Sequence, residues 1–299
     1  MCGIVGLFAK DRTLERELGA HLAVMLSSLS DRGPDSAGFA IYAPPVPSSV
    51  KLTLRAPADF DFAELAQRLV PHLRGEIHLT PRTTHAVLAV PAAEQAEARA
   101  ALAEIVPDAV VVGAGESMEL YKEVGRPESV VKQFGLDAMT GSHGIGHTRM
   151  ATESAVTTDG AHPYSTGLDQ CLVHNGSLSN HNAVRRELRR HGYTFATEND
   201  TEVAAAYLSY RMAKGKKLDG ALEDSMRDLD GFFTFVVGTH DGFAVLRDPI
   251  ACKPAVMAET ERYVAFGTEY RALVDLPGIE QARVWEPVPA TVYAWDRRQ

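Results

Sequence analysis

The second residue of this 299-residue chain is a cysteine, and the residues after it (Gly3-Ile4-Val5-Gly6-Leu7-Phe8) read as a buried β-strand. Chain ends usually fray, so a strand here calls for a reason. It requires a fold that buries its first residues inside a sheet and holds a thiol at the edge of that sheet. Loss of Met1 is expected from the small residue that follows it, and would leave Cys2 with a thiol and a free α-amine. The amine titrates near about 8 and the thiol near about 8.5, so the amine can accept the thiol proton near neutrality. One residue would then supply both nucleophile and base. Taken alone, Cys2 reads as easily as a small packing residue.

The bulk numbers exclude some classes. A formal net charge of −9 argues against nucleic acid or an anionic membrane as the main partner. Hydrophobic residues at 45% and charged residues at 23% suit a globular fold of one large domain or two modest ones. No apolar run is long enough to span a bilayer, and residues 1–9 lack the basic start of a signal peptide. Cys2, Cys171 and Cys252 lie far apart without metal-type spacing. A cytoplasmic location is expected, and no metal site.

Leu18, Leu22, Met25, Leu26 and Leu29 recur at helical spacing, and a polar loop, Asp31-Arg32-Gly33-Pro34-Asp35-Ser36-Ala37-Gly38, follows them. Residues 39–42 read as a strand, and Pro44, Pro45 and Pro47 mark a boundary. Residues 51–115 read as a unit of their own: strand 51–55, helix 62–73, strands 76–79 and 86–90, helix 93–105, strand 109–112. That β-α-β-β-α-β order is the ferredoxin-like one, shared with several other α+β layouts. Further on, residues 144–149 and 171–176 read as strands, 129–134, 182–191 and 201–212 as helices, and 232–237 with 243–247 as a hairpin. Late strands follow at 263–267 and 291–295. The pattern predicts a layered α+β core, not a doubly wound sheet.

Four segments offer chemistry. Asn175-Gly176 ends a predicted strand, where an Asn amide and a Gly N–H can form an oxyanion hole; by itself the pair also reads as a turn. Arg149 ends another strand, where a guanidinium can grip a carboxylate or serve a structural ion pair. Asp200 starts a helix, as an N-cap, as an acceptor for an ammonium, or as both. Residues 32–35 read as a loop over the pocket, or as a surface turn.

Together these segments resemble the class II glutamine amidotransferases, which are N-terminal-nucleophile hydrolases. The likeness rests on Met1-Cys2-Gly3-Ile4-Val5-Gly6, Arg32 to Gly38, Gly146-His147-Thr148-Arg149-Met150-Ala151-Thr152, His174-Asn175-Gly176 and Asn199-Asp200-Thr201-Glu202, in the family's order. Asp230-Gly231-Phe232-Phe233, Arg247-Asp248-Pro249 and Gly267-Thr268-Glu269 add to it. It covers residues 2–42 and 118–299, leaving 51–115 as an insertion in a domain spanning 1–299. The resemblance implies a four-layer αββα sandwich. It implies Cys2 as nucleophile, Asn175 and Gly176 as oxyanion hole, Arg149 on the glutamine carboxylate and Asp200 on its amine. Thr152 and Arg32 join the substrate contacts. Met150 stands where many members carry Trp, and Glu153 where several carry His or a small polar residue. Both departures bear on substrate contacts.

Within the family the chain is similar to stand-alone subunits related to glutamate synthase, of the N-methylglutamate synthase and GlxB type. The resemblance implies an L-glutamine-hydrolysing subunit that passes ammonia to a separate glutamate-synthase-like flavoprotein in a hetero-oligomer. No cofactor is expected in this chain; FMN, with an iron–sulfur cluster as a further candidate, belongs to the partner. No P-loop is present. Two rivals stand beside this reading. One is a catalytically silent structural or regulatory subunit with Met1 retained. The other is an amidase for another substrate, against which Arg149 and Asp200 argue as a match to an amino-acid zwitterion.

Overall fold

In the computed structural model, which describes residues 2–151 and 155–297, the first strand, β1 (Gly3–Ala9), is central to the largest sheet. Next come α1 (Arg12–Ser27) and β2 (Ser36–Tyr42), then β3 (Ser49–Arg55), α2 (Phe62–Leu69), β4 (His78–Arg82), β5 (His85–Pro91), α3 (Gln95–Ile105) and β6 (Val110–Gly115). The chain continues through β7 (Met118–Val124), α4 (Pro127–Phe134), β8 (His143–Arg149), β9 (Tyr164–Gly167), β10 (Gln170–Leu178), α5 (His181–Arg190), α6 (Asp200–Ala213) and α7 (Leu218–Asp228). It ends with β11 (Gly231–Thr239), β12 (Gly242–Arg247), β13 (Val256–Glu259), β14 (Tyr263–Gly267), β15 (Arg283–Trp285) and β16 (Thr291–Asp296).

Two antiparallel sheets face each other. One has the order β15-β13-β14-β1-β8-β2-β7, the other β16-β12-β11-β10-β9. The side-chain alternation of β1 explains why it lies inside. Val5, Leu7 and Ala9 pack on Leu14, Leu18, Leu22 and Leu26 of α1, while Ile4 and Phe8 pack between the sheets with Val173, Val236 and Phe243. Gly6 has room for no more than a hydrogen, because a Cβ there would come 2.5 Å from the Phe243 ring. On the far side of the second sheet, α5, α6 and α7 cover Leu172, Phe233, Phe235 and Leu246. The layers are α, β, β, α, as the resemblance implied. Asp11 caps α1 by accepting from Leu14 N at 2.7 Å. Each buried leucine of α1 contributes about 1.5–3 kcal/mol of transfer free energy. Residues 203–208 of α6 are buried on every side, as suits a helix between a sheet and two other helices.

β2 and β7 pair from Ser36↔Val124 to Tyr42↔Met118, so the segment 43–117 is the connection of one hairpin. Within it the third sheet has the order β4-β5-β3-β6, all antiparallel, with α2 and α3 over one face. That is the ferredoxin-like arrangement. Asp169 fastens its exit: the carboxylate accepts from Glu116 N (2.7 Å), Ser117 N (2.9 Å), Met118 N (2.9 Å) and Ser117 Oγ (3.0 Å).

Several element expectations need correction. α2 stops at Leu69, not at 73, and gives way to a 3-10 turn, Val70–His72, because Pro71 has no N–H for a further helical turn. β4 lies at His78–Arg82, not at 76–79. The strands β7, β9, β13 and β15 and the helix α7 were not anticipated. Among the described residues no helix is long and apolar enough to cross a membrane.

Candidate active site

Cys2 stands just before β1, half-buried, on the wall of a cleft of about 650 Å³. The same cleft is lined by Arg149, Asn175, Gly176 and Asp200. These come from the ends of β8 and β10 and the start of α6, so both sheets and the helical layer meet here. The Cys2 Sγ lies 3.9 Å from the Met150 carbonyl. Asn175 Nδ2 donates to the Cys2 carbonyl at 3.3 Å. An amide nitrogen carries two hydrogens, so one remains for a ligand in the cleft.

Gly176 is fixed by sterics. Its φ is +150°, and a Cβ would lie 1.9 Å from the Phe232 carbonyl oxygen. Arg149 is buried at the end of β8, where Nη1 donates to the Ala155 carbonyl at 3.4 Å.

The expected cap at Asp200 is a correction. Asn199 caps α6, accepting from Thr201 N at 2.8 Å, and its extended backbone suits that role. Asp200 is the first helical residue, and its carboxylate accepts from Leu178 N at 2.9 Å. Burial works against its ionisation, but His174, beside it, and the Leu178 N–H outweigh burial and hold its pKa down to about 2. A partly exposed carboxylate is thus kept charged in the cleft.

Arg32 is not brought to the cleft, and none of residues 32–35 lines it. Arg32 lies behind Cys2, where Nε donates to the Cys2 carbonyl at 3.2 Å and Nη1 pairs with Glu269. Asp35 accepts from Ala151 N at 2.8 Å and its own N–H donates to the Arg149 carbonyl at 3.1 Å. The loop packs on the end of β8 and holds the site without lining it. Gly33 permits this, since a Cβ would meet the β8 backbone at 2.4 Å. Thr152 and Glu153 lie outside the described residues.

Spacing and residue type alone assign no role to His147, His162 or His174. His147 and His162 stack with centroids 4.0 Å apart. Thr201 Oγ1 lies 2.8 Å from His162 Nε2 and 3.0 Å from His174 Nδ1. Burial lowers His147 to about 3 and His162 well below the ordinary histidine value, so both stay neutral. Glu202 was also missed as an organiser: it accepts from Ala196 N, Thr197 N and Thr197 Oγ1 at 2.7–2.8 Å and shapes the wall before α6. His162-Pro163 and the Thr197-to-Glu202 spacing were the available signals. Among the described residues no three His, Cys, Asp or Glu side chains gather to hold a metal ion.

Comparison with known proteins decides the family. The chain is 63% identical over 300 residues to the glutamine amidotransferase-like protein GlxB of Rhizobium meliloti (strain 1021), covering 100% of this chain and 99% of that one. The chain belongs to the class II glutamine amidotransferases. Residues 147–275 match the family model described as a glutamine amidotransferase domain. A putative glutamine amidotransferase of Methanothermobacter thermautotrophicus is 32% identical over 94% of this chain and 96% of its own. Among solved structures, the glutamine phosphoribosylpyrophosphate amidotransferase of B. subtilis shares the fold, with a TM-score of 0.60 at 17% identity over 99% of this chain. A second structure, described as the allosteric regulatory enzyme of purine biosynthesis, gives a TM-score of 0.62 at 18% identity. The amidotransferase chain spans about half the length of each, 49% in both cases.

Proposed function

We propose that this amidotransferase hydrolyses the side-chain amide of L-glutamine through Cys2 and passes the ammonia to a separate synthase subunit. The observation that carries the reading is the convergence on one cleft of a thiol, an Asn-Gly pair, a buried guanidinium and an ionised carboxylate. Arg149 and Asp200 match the carboxylate and ammonium of an amino acid.

With Met1 removed, the Cys2 α-amine takes the thiol proton and sulfur attacks the carboxamide carbon. The Asn175 amide and the Gly176 N–H receive the negative oxygen. The C–N bond breaks as the α-ammonium gives its proton to the departing ammonia, leaving a γ-glutamyl thioester. A water, deprotonated by the same amine, attacks the thioester; glutamate leaves and the thiol returns.

The acceptor we propose is a glutamate-synthase-like flavoprotein carrying FMN, with an iron–sulfur cluster as its further candidate cofactor, in an N-methylglutamate synthase type of hetero-oligomer. Ammonia released to water at neutral pH is mostly protonated and lost to a second reaction, which favours a docked acceptor. The test is glutamate release by the purified chain with and without the candidate flavoprotein, Cys2→Ala serving as control. Release that the flavoprotein stimulates and Cys2→Ala abolishes is expected. No release in either setting, together with an intact mass that retains Met1, would replace this reading with the silent subunit.

A further inference from the structure

The segment 155–163 forms one wall of the cleft, through Ala155, Thr157, Asp159 and Gly160. Its inner side touches Arg149: Nη1 donates to the Ala155 carbonyl at 3.4 Å, and a Cβ on Gly160 would lie 3.3 Å from that same nitrogen. The segment is therefore one of the contacts that hold the guanidinium.

Its outer side is held from the inserted unit. Arg55, the last residue of β3, pairs through Nη2 with Asp159 Oδ1 at 2.7 Å. Thr84, just before β5, donates to Glu123 Oε2 at 3.0 Å, and the other oxygen of Glu123 accepts from Thr158 Oγ1. Arg55 lies opposite His85 in the β3–β5 register, so both links leave one corner of the inserted sheet. The strand that carries Arg55 is itself anchored along its length. Lys51 pairs with Glu119 at 2.9 Å with both side chains largely buried, and Thr53 Oγ1 accepts from Leu120 N at 3.3 Å. Lys122, on β7, completes the grip by donating to the carbonyls of Asp159 (3.2 Å) and Ala161 (2.9 Å).

We infer that Arg55 and Thr84 are positioning residues for the substrate cleft, which makes the inserted unit part of the glutamine site. The inference rests on the proposed glutaminase reading for the identity of the substrate. A half-exposed pair such as Arg55–Asp159 adds little to global stability. Its effect is local, on how often residues 155–163 open and release Arg149. A partner seated on the inserted unit would act on glutamine affinity through the same corner.

The experiment compares the full-length chain with Arg55→Ala, Thr84→Val and Arg55→Lys. Amide hydrogen exchange is read over residues 155–163, and KM and kcat for glutamine are measured on the same samples, with melting curves to establish folding. Arg55→Ala and Thr84→Val are each expected to speed exchange in that segment severalfold. They should raise KM about three- to tenfold, with kcat within about twofold and melting nearly unchanged. Arg55→Lys should recover part of the loss. Unchanged exchange in 155–163 overturns the inference, and so does faster exchange with unchanged KM. A wild-type chain that releases no glutamate removes the proposed substrate, and the exchange comparison, which needs no turnover, still decides whether the inserted unit holds the cleft wall.

Discussion

Arg32 Nε donates to the main-chain carbonyl of Cys2, while Nη1 of the same guanidinium is tied to Glu269. Glu269 also accepts from Arg271 Nε at 2.6 Å, which steadies the carboxylate. The fork thus fixes the residue whose thiol is to react, although Arg32 does not line the cleft. Lysine offers a compact ammonium in place of the planar fork and does not reproduce the two directed bonds of Nε and Nη1. Arg32→Lys is expected to lower kcat by roughly 10- to 100-fold through misplacement of Cys2. KM for glutamine should stay within about twofold, since no substrate contact is lost. Steady-state kinetics check this, and a rise in KM matching the fall in kcat would return Arg32 to the substrate-binding role.

Asn175 and Gly176 act at the developing charge in the proposed mechanism. Asn175→Ala is expected to cost roughly 100- to 1,000-fold in kcat, the usual loss for one oxyanion donor. Gly176→Ala fails for a different reason. The added carbon would overlap the Phe232 carbonyl at 1.9 Å in a φ = +150° backbone, so β10 must separate from β11. Loss of about 2–4 kcal/mol of stability is expected, measured by urea unfolding. Asn175→Ala should unfold close to wild type, which separates the chemical loss from the structural one.

The layers were legible where side chains follow one period. β1 and α1 bury clean patterns, and the six elements of the inserted unit appear in the anticipated order. β7 was missed because its burial breaks the two-residue period, with Leu120, Tyr121 and Lys122 buried in succession, and because Glu119, Lys122 and Glu123 carry charges satisfied by tertiary contacts. β9 and β15, four and three residues long, are too short to show a period. α7 hides its few buried residues among charges; Asp224, for one, is buried against Arg211 and Arg227. In the site, Cys2, Arg149, Asn175, Gly176 and Asp200 do share a cleft. Arg32 does not line the cleft, because no spacing rule tells whether a loop lines a pocket or packs beside it. The cap fell on Asn199 because Asn and Asp are equally good caps, and only the backbone angles choose between neighbours.

The depressed pKa of Asp200 makes part of the stability pH-dependent. The folded value, about 2, lies below the reference of 3.8, so the unfolded chain takes up this proton first as acid is added. Its contribution is complete above the unfolded value and disappears as pH falls through the folded one. The shift corresponds to about 2 kcal/mol, for a side chain 22% exposed. Asp200→Asn is expected to remove this component, so urea midpoints between pH 5 and 2 should fall less steeply than in wild type (a window spanning roughly both pKa values). The same variant should raise the glutamine KM roughly tenfold or more, because an amide cannot replace the carboxylate facing an ammonium. Equal acid slopes in the two proteins would show that the titrating group lies elsewhere.

Asp169 joins the second sheet to the exit of the inserted unit through four hydrogen bonds to one carboxylate. Its own backbone has φ = +50°, a conformation that Asp and Asn tolerate and Ala resists. Oδ2 accepts from Glu116 N, and Oδ1 takes the other three donors. In Asp169→Asn the amide oxygen can keep the Oδ1 position, but its NH2 then faces the Glu116 N–H, donor against donor. A cost of about 1–3 kcal/mol follows. Asp169→Ala loses all four bonds and adds backbone strain, for about 3–5 kcal/mol. The expected stability order is wild type, Asn, Ala, read from urea unfolding, with faster amide exchange at residues 116–118 in both variants. Asp169→Gly relieves the strain without restoring the bonds, so it should fall between Asn and Ala. A glycine variant as stable as wild type would mean that the clasp contributes nothing and that the backbone angle alone selects Asp169.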